Sequence, residues 1–480
     1  MNFRMISQVL GRVVALEAML LLIPMVVSVG YGEHFAHFAI TSLIALTLAG
    51  FLMRWRPTTR DFYARDGFVT VAASWVTLSL IGALPYALSG EIPNYIDAVF
   101  ETISGFTTTG ASIVPDVEAL SHGIHLWRVL TIWVGGMGVL VFVMFIVPLS
   151  EEHSMHIMRA EMPGPTIGKL VPRIRNTAML LYVIYAAMTV LMVLLLRLGG
   201  LNWFDSFIHA LSTAGTGGFS NYGSSVAAFN SPYLEAVVGV FALLFGVNFN
   251  MYYFILIRRF RDILHNGELW AYIAIVAAAI LTMTVSLTHF YGSALTAFRY
   301  AGFQVASIIT TTGHVTANYD LWPMYPKFVL FLLMIIGGCA GSTSGGIKIS
   351  RVLILMKTVR NEIHHQNNPR AIHVVRLNDA PISRDVQHST LIFLALYLLL
   401  ILGGTLLLTL NDMDFTSTFT AVVSCTGNVG PAFGIAGPVG SYSGFSYFSK
   451  LVLSVCMLMG RLEILPIVML ISPSTWRRSA

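Results

Sequence analysis

Long apolar runs dominate the chain. Ten of them reach the ~20 residues that a helical membrane crossing needs, at 9–30, 36–54, 67–89, 124–149, 177–199, 233–257, 269–291, 326–357, 388–410 and 446–471. Four shorter helical stretches lie between them, near 95–105, 203–213, 296–309 and 414–425, and are too short to cross. Each runs into a loop of Thr, Ser and Gly: ISGFTTTGAS (Ile103 to Ser112), STAGTGGFS (Ser212 to Ser220), SIITTTGHVT (Ser307 to Thr316) and SCTGNVGPAFG (Ser424 to Gly434). Lipid cannot solvate a peptide group, so irregular polar backbone at this depth lines water or binds something polar. The short stretches therefore read as re-entrant half-helices. Four such loops at near-regular spacing imply one ring around one axis, as in an ion pore.

From Gly67 onward the chain repeats span, half-helix, loop, span four times, with a period of about 110 residues. The predicted fold is an all-α polytopic membrane protein of about ten transmembrane helices, with four pseudo-symmetric repeats around a central pore. Its parts are an N-terminal two-helix extension (1–66) and pore repeats 67–150, 151–262, 263–360 (its second helix broken) and 361–480. Asp97, Asp205 and Asp414 stand near the starts of three half-helices, where aspartate caps free N–H groups and suits the dipole. Thr296 takes that place in the third repeat.

Composition supports the membrane reading: 56% of the 480 residues are apolar and only 11% charged, with mean hydropathy +0.74, too little charge to cover a soluble surface. The net charge of +5 matters through its placement. Basic residues follow every second span: Arg54, Arg56, Arg60 and Arg65; Arg159, Lys169, Arg173 and Arg175; Arg258, Arg259 and Arg261; Lys357, Arg360, Arg370, Arg376 and Arg384; then Arg477 and Arg478. That alternation predicts both termini in the cytoplasm and all four loops entering from outside. The apolar run 13–29 is long for a signal peptide and reads as a retained span. Cys339, Cys425 and Cys456 are widely spaced and form no metal-ligand pattern. His364 and His365 lie in a basic loop, no HExxH occurs, and no GxGxxG or P-loop lysine is present. No enzyme activity is expected.

A half-helix that stops at mid-membrane aims its C-terminal carbonyl end at the following loop, and four converging ends suit a cation. Gly105, Gly110, Gly217, Gly218, Gly313 and Gly430 permit backbone that turns carbonyls inward. Their Thr-rich neighbours, including Thr107 to Thr109, Thr213, Thr310 to Thr312 and Thr426, add oxygens. No carboxylate lies within the loops, which favours a monovalent cation, potassium ahead of sodium.

The chain resembles the Trk/Ktr/HKT superfamily of potassium transporters, on its TrkH/TrkG branch. The motifs that carry the resemblance are FETISGFTTTGAS, WVGGMG (Trp133 to Gly138), RAEMPGP (Arg159 to Pro165), GGCAGSTSGGIK (Gly337 to Lys348) and GRLE (Gly460 to Glu463). The resemblance implies one filter glycine per repeat: Gly105 or Gly110, with Gly110 favoured because it matches Gly313 in TTTG, Gly217 or Gly218, then Gly313 and Gly430. The filter would comprise Thr108, Thr109, Gly110, Thr216, Gly217, Gly218, Thr311, Thr312, Gly313, Asn428, Val429 and Gly430. Potassium would be held by carbonyls such as those of Thr109, Thr312 and Val429, with no organic cofactor.

The resemblance also implies a gating loop that breaks the third repeat's second span, a break the glycine density alone predicts. Its residues are Gly337, Gly338, Gly341, Ser342, Gly345 and Gly346, acting with Lys348 and with Arg461 inside the last span. Ser344, where the family has glycine, is expected to stiffen the loop, and His314 stands where phenylalanine is common. A homodimer in the bacterial inner membrane is implied, controlled by a cytoplasmic TrkA-type nucleotide-binding subunit. That subunit would dock on the basic segments 150–176 and 350–386, which also suit anionic lipid; no nucleic acid partner is expected. The alternative is a symporter coupling potassium to sodium or protons. It needs mid-membrane ionisable groups, of which the sequence shows few beyond Arg461 and Glu463.

Overall fold

The computed structural model describes residues 1–55, 63–138, 174–368, 374–378 and 380–476. Outside them lie Arg56, Arg60, Arg159, Lys169, Arg173, Arg370, Arg477 and Arg478, the RAEMPGP segment and most of 150–176. Among the described residues every long element is a helix; the only ladder pairs Arg376–Leu377 with Ala380–Pro381. Six helices are long and apolar enough to cross a membrane: Phe3–Tyr31, Ala36–Met53, Arg65–Ser89, Met179–Leu198, Gly267–Tyr291 and Arg384–Asn411. Each coincides with a predicted run. Their outer faces carry exposed Leu43, Leu281 and Leu406, an apolar surface suited to a membrane.

The other four predicted runs are the second helix of each repeat, and three of them are interrupted among the described residues. His122–Gly136 accounts for the first half of 124–149, and residues beyond 138 lie outside the described set. The run 326–357 splits into Met324–Ile336 and Ile349–Asn367 around the glycine-rich loop, where a break was expected. Two further breaks correct the sequence reading. The run 233–257 is two helices, Pro232–Phe245 and Phe249–Leu256, bent by 89°. Asn248 restarts the chain there by accepting the Asn250 amide at 2.9 Å. The run 446–471 is Tyr447–Arg461 and Leu465–Ile471. Glu463 and Ile464 turn at φ +57° and +67°, and Pro466 lies in the first turn of the helix that follows.

The four short helices are Tyr95–Phe106, Trp203–Ala214, Ala294–Ile309 and Phe415–Gly427. At 12 to 16 residues they span about 18–24 Å, less than a bilayer core. All four start on a side-chain cap: Asn94, Asn202, Ser293 and Asp414. Of the three aspartates expected to cap, only Asp414 does so. Asp97 sits inside the first turn and pairs with Lys450 at 2.7 Å. Asp205 accepts from Asn221 Nδ2 at 2.7 Å and Tyr222 Oη at 2.9 Å. Burial and that carboxylate push the Tyr222 phenol up to about 12, so it remains the donor.

Packing between these elements is cyclic. His122–Gly136 lies on the second short helix, Pro232–Phe245 on the third, Met324–Ile336 on the fourth, and Tyr447–Arg461 returns to the first. Ion pairs bolt two of these seams, Asp97 to Lys450 and Glu235 to Arg299 at 2.6 Å. Leu465–Ile471 closes onto Ala64–Gly82. The two N-terminal helices pack outside this ring, against each other and against Ala64–Gly82.

Candidate functional site

Each short helix ends in the same hydrogen-bonded turn. The amides of Thr109, Gly217, Thr312 and Val429 donate to the carbonyls of Ser104, Ser212, Ser307 and Ser424 at 2.8, 3.0, 2.8 and 2.9 Å. One residue earlier the backbone is left-handed, with φ +54° at Thr108, +55° at Thr216, +56° at Thr311 and +54° at Asn428. This is a Schellman closure, in which the C-terminal carbonyls are satisfied by the chain turning back. Threonine tolerates that conformation poorly, so three of the four turns are held against their own preference by the surrounding packing.

The residue after the turn is a glycine of positive φ in all four loops: Gly110, Gly218, Gly313 and Gly430. A side-chain carbon on Gly110 would collide with the Gly217 carbonyl, and one on Gly218 with that of Thr312. One on Gly313 would meet the Val429 carbonyl, and one on Gly430 that of Thr109. Each loop therefore touches the next, and the fourth touches the first. The structure brings all twelve predicted loop residues into this ring. Gly105 lies elsewhere, inside the first short helix against Thr131. Side chains brace the loops from behind: Thr107 to Thr109 at 2.8 Å, Thr310 to Thr312 at 2.7 Å, and Asn428 Nδ2 to Thr109 Oγ1 at 3.0 Å.

On one side the ring opens into a vestibule of about 360 Å³, lined in part by Gly110, Gly218, Gly313, Gly430 and Arg128. Arg128 is fully buried and binds Glu101 through Nε at 2.9 Å and through a terminal nitrogen at 2.7 Å. Glu101 also accepts from Ser112 Oγ at 3.0 Å and Ile113 N at 2.9 Å. The guanidinium reaches the Ser220 carbonyl at 3.4 Å and stands 4.2 Å over the Phe219 ring. The pair thus ties the first loop to the second while cancelling a positive charge beside the vestibule. Sequence reasoning quoted Glu101 within FETISGF but gave it no role. Arg128→Met is expected to destabilise by about 3–5 kcal/mol, because Glu101 stays buried without its partner. Thermal unfolding in detergent checks this, and removing both charges should recover much of the loss. His314, the other departure at the loops, is buried between Ser225 Oγ at 3.2 Å and Thr213 Oγ1 at 3.1 Å.

On the opposite side the glycine-rich segment is a compact loop that plugs the space beneath the ring. Gly345 donates its amide to Thr311 Oγ1 at 2.7 Å and abuts the Gly427 carbonyl. Gly337, Gly338 and Gly346 pack along the loop's own neck, and Gly341 lies against Asn248. Ser342 and Ser344 share a hydrogen bond of 2.6 Å. The Lys348 ammonium, buried, donates to the Ser344 carbonyl. Arg461 donates to Thr343 O at 2.8 Å and to Gly135 O and Gly136 O at 2.7 Å each. Glu463, two residues beyond Arg461, pairs with Arg351 at 2.6 Å. Carboxylates sequence reasoning did not count also lie buried in the helices, notably Glu17, Glu101 and Glu268. Among the described residues no cluster of three His, Cys, Asp or Glu could hold a metal ion.

A polytopic helical protein whose four half-membrane helices aim their carbonyl ends at one ring is, by fold and site, a membrane transport protein for a small ion. Comparison with known proteins agrees. Residues 32–478 match the family model TrkH, described as Cation transport protein. The chain is 33% identical over 487 residues to the Trk system potassium uptake protein TrkH of Salmonella typhimurium, covering 99% of this chain and 100% of that one. It is 32% identical over 488 residues to the Trk system potassium uptake protein TrkG of Escherichia coli, covering 99% of each. The crystal structure of the potassium transporter TrkH from Vibrio parahaemolyticus aligns with a TM-score of 0.90 at 31% identity, covering 99% of this chain and all of that one. The chain belongs to the TrkH family of cation transport proteins and is a transporter, not an enzyme.

Proposed function

We propose that the protein takes up potassium across the bacterial inner membrane through the ring of four loops. The observation that carries this is the closed cycle of backbone carbonyls from Thr109, Gly217, Thr312 and Val429, each set against the glycine of a neighbouring loop. Neutral carbonyls at the ends of four helices replace a hydration shell without the tight grip of carboxylates. Each of the segments 67–150, 151–262, 263–360 and 361–480 supplies one side of that filter, and 1–66 flanks it. The loop from Gly337 to Gly346 is the gate, held by Lys348 and by Arg461, whose charge lies below the ring. Both termini are cytoplasmic, the vestibule faces outward, and the protein is a homodimer. A cytoplasmic nucleotide-binding subunit of TrkA type docks on the basic segments and drives the gate; the relatives' printed name, Trk system, supports a multi-component assembly. Reconstituted protein should take up rubidium, with equal potassium competing and a tenfold sodium excess leaving most uptake intact (~10-fold discrimination corresponds to ~1.4 kcal/mol). Equal competition by sodium would reject the assignment.

A second reading, coupling to protons, is supported by Glu17. Its side chain is buried against Gly82 and beside Thr102 of the first short helix, and neither oxygen has a hydrogen-bond partner among the described residues. A carboxyl in such a place is able to carry a proton. Proton movement stoichiometric with rubidium, lost in Glu17→Gln, is its signature.

A further inference from the structure

Glu268 is 6% exposed, in the first turn of Gly267–Tyr291, and its carboxylate reaches away from its own helix. Oε1 accepts the Ala340 amide at 2.7 Å and the Ser350 amide at 3.2 Å. Those two amides stand on either side of the plug. Between them the chain closes a neck: Ile347, Lys348 and Ile349 donate to the carbonyls of Ile335, Ile336 and Gly338 at 3.1, 2.9 and 3.0 Å. The Ser350 amide is also one of the first free donors of Ile349–Asn367, whose own cap residue, Lys348, offers no side-chain acceptor. Glu268 therefore caps that helix from a different one.

The tip is held differently. Phe249 N donates to Gly341 O at 3.0 Å, Thr343 Oγ1 to Phe245 O at 3.2 Å, and Gly345 N to the Thr311 hydroxyl at 2.7 Å. These are hydrogen bonds between neutral groups, roughly half as strong as one to an ionised acceptor. Two charged contacts reach the tip as well: Lys348 donates from the neck to the Ser344 carbonyl, and Arg461 donates to Thr343 O from the helix that follows the fourth loop. The neck is anchored by the Glu268 carboxylate and by the Cys339 amide on Gly246 O at 3.0 Å, and the tip by several separable partners.

We propose that Glu268 is a positioning residue that pins both ends of the intramembrane loop, so that only the tip, 341–345, travels between plugging the ring and leaving it. The inference rests on the gate reading given above. A loop anchored at a closed neck keeps its refolding path short, because its ends need not find one another again. It also routes any pull on Ile349–Asn367 into the neck through the Ser350 amide.

Cys339 is the reporter. It lies in the neck beside Ala340 and is 1% exposed. With Cys425→Ala and Cys456→Ala as background, its reaction with a methanethiosulfonate reagent is timed on purified protein in detergent. Glu268→Leu should speed modification by about tenfold, as loss of charge-assisted hydrogen bonds implies. Glu268→Gln should fall between the background protein and the Leu variant, because an amide oxygen accepts the same two N–H groups without the charge. A Leu variant that reacts no faster overturns the proposal, and so does a Gln variant that reacts as fast as the Leu variant. The Gln variant keeps the test open should the Leu variant fail to fold. Rubidium flux of the same preparations reads the gate separately. A reactive Cys339 with unchanged flux upholds the pin and refutes the loop as gate.

Discussion

Arg461→Ala raises rubidium flux through the protein alone by about tenfold or more. The side chain is held on three carbonyls from two elements: Thr343 in the plug, and Gly135 and Gly136 at the end of His122–Gly136. Hydrogen bonds to a charged group contribute about 1.5–3 kcal/mol each, so losing the Thr343 contact alone shifts a two-state gate by an order of magnitude. The substitution also deletes a positive charge beneath a ring meant for cations, which lowers the barrier further. Arg461→Lys keeps the charge but loses the planar fork that reaches both partners, so its flux should fall between parent and alanine. Flux into vesicles without any partner subunit checks the order. A folded alanine variant with parental or zero flux would remove Arg461 from the gate.

Gly313→Ser lowers discrimination between potassium and sodium by about tenfold. At φ +78°, Gly313 holds a backbone that side chains resist, and a carbon added there runs into the Val429 carbonyl and the Pro431 ring. The carbonyl must move off the ring, and selectivity depends on where those oxygens stand. Gly302→Ser is the control: it lies in the helix leading to the same loop, yet an added carbon there meets nothing within 4 Å. Rubidium uptake under sodium competition separates the two. Equal competition curves for Gly313→Ser and the parent would place the selective step elsewhere.

The ring was legible because its rule is local. A half-helix too short to cross, then Thr and Gly, describes all four loops, and a closer register was present too. Ser104, Ser212, Ser307 and Ser424 each stand six residues before a ring glycine. That spacing agrees with the preference for Gly110 over Gly105 and would have chosen Gly218 over Gly217. The breaks in the second helices were not legible where apolarity ran on. In 233–257 only Gly246 and Asn248 hint at a stop and a new cap within the apolar run, and the bend is also fixed by the Cys339 amide donating to Gly246 O at 3.0 Å from another repeat. The same holds for charge. Asp97 looked like a cap because Lys450, its partner, lies 353 positions away, and nothing local to Glu463 pointed to Arg351, 112 positions away. Glu268 escaped notice for a related reason: its partners are backbone amides, which no side-chain motif records.

The most direct test of the ring is to see the ion in it. A structure determined in rubidium or thallium, with anomalous scattering measured, should show a peak on the axis enclosed by the carbonyls of Thr109, Gly217, Thr312 and Val429. Exchange into sodium should remove it. A preparation that transports rubidium but carries no peak on that axis, or carries it outside the four loops, would contradict the account.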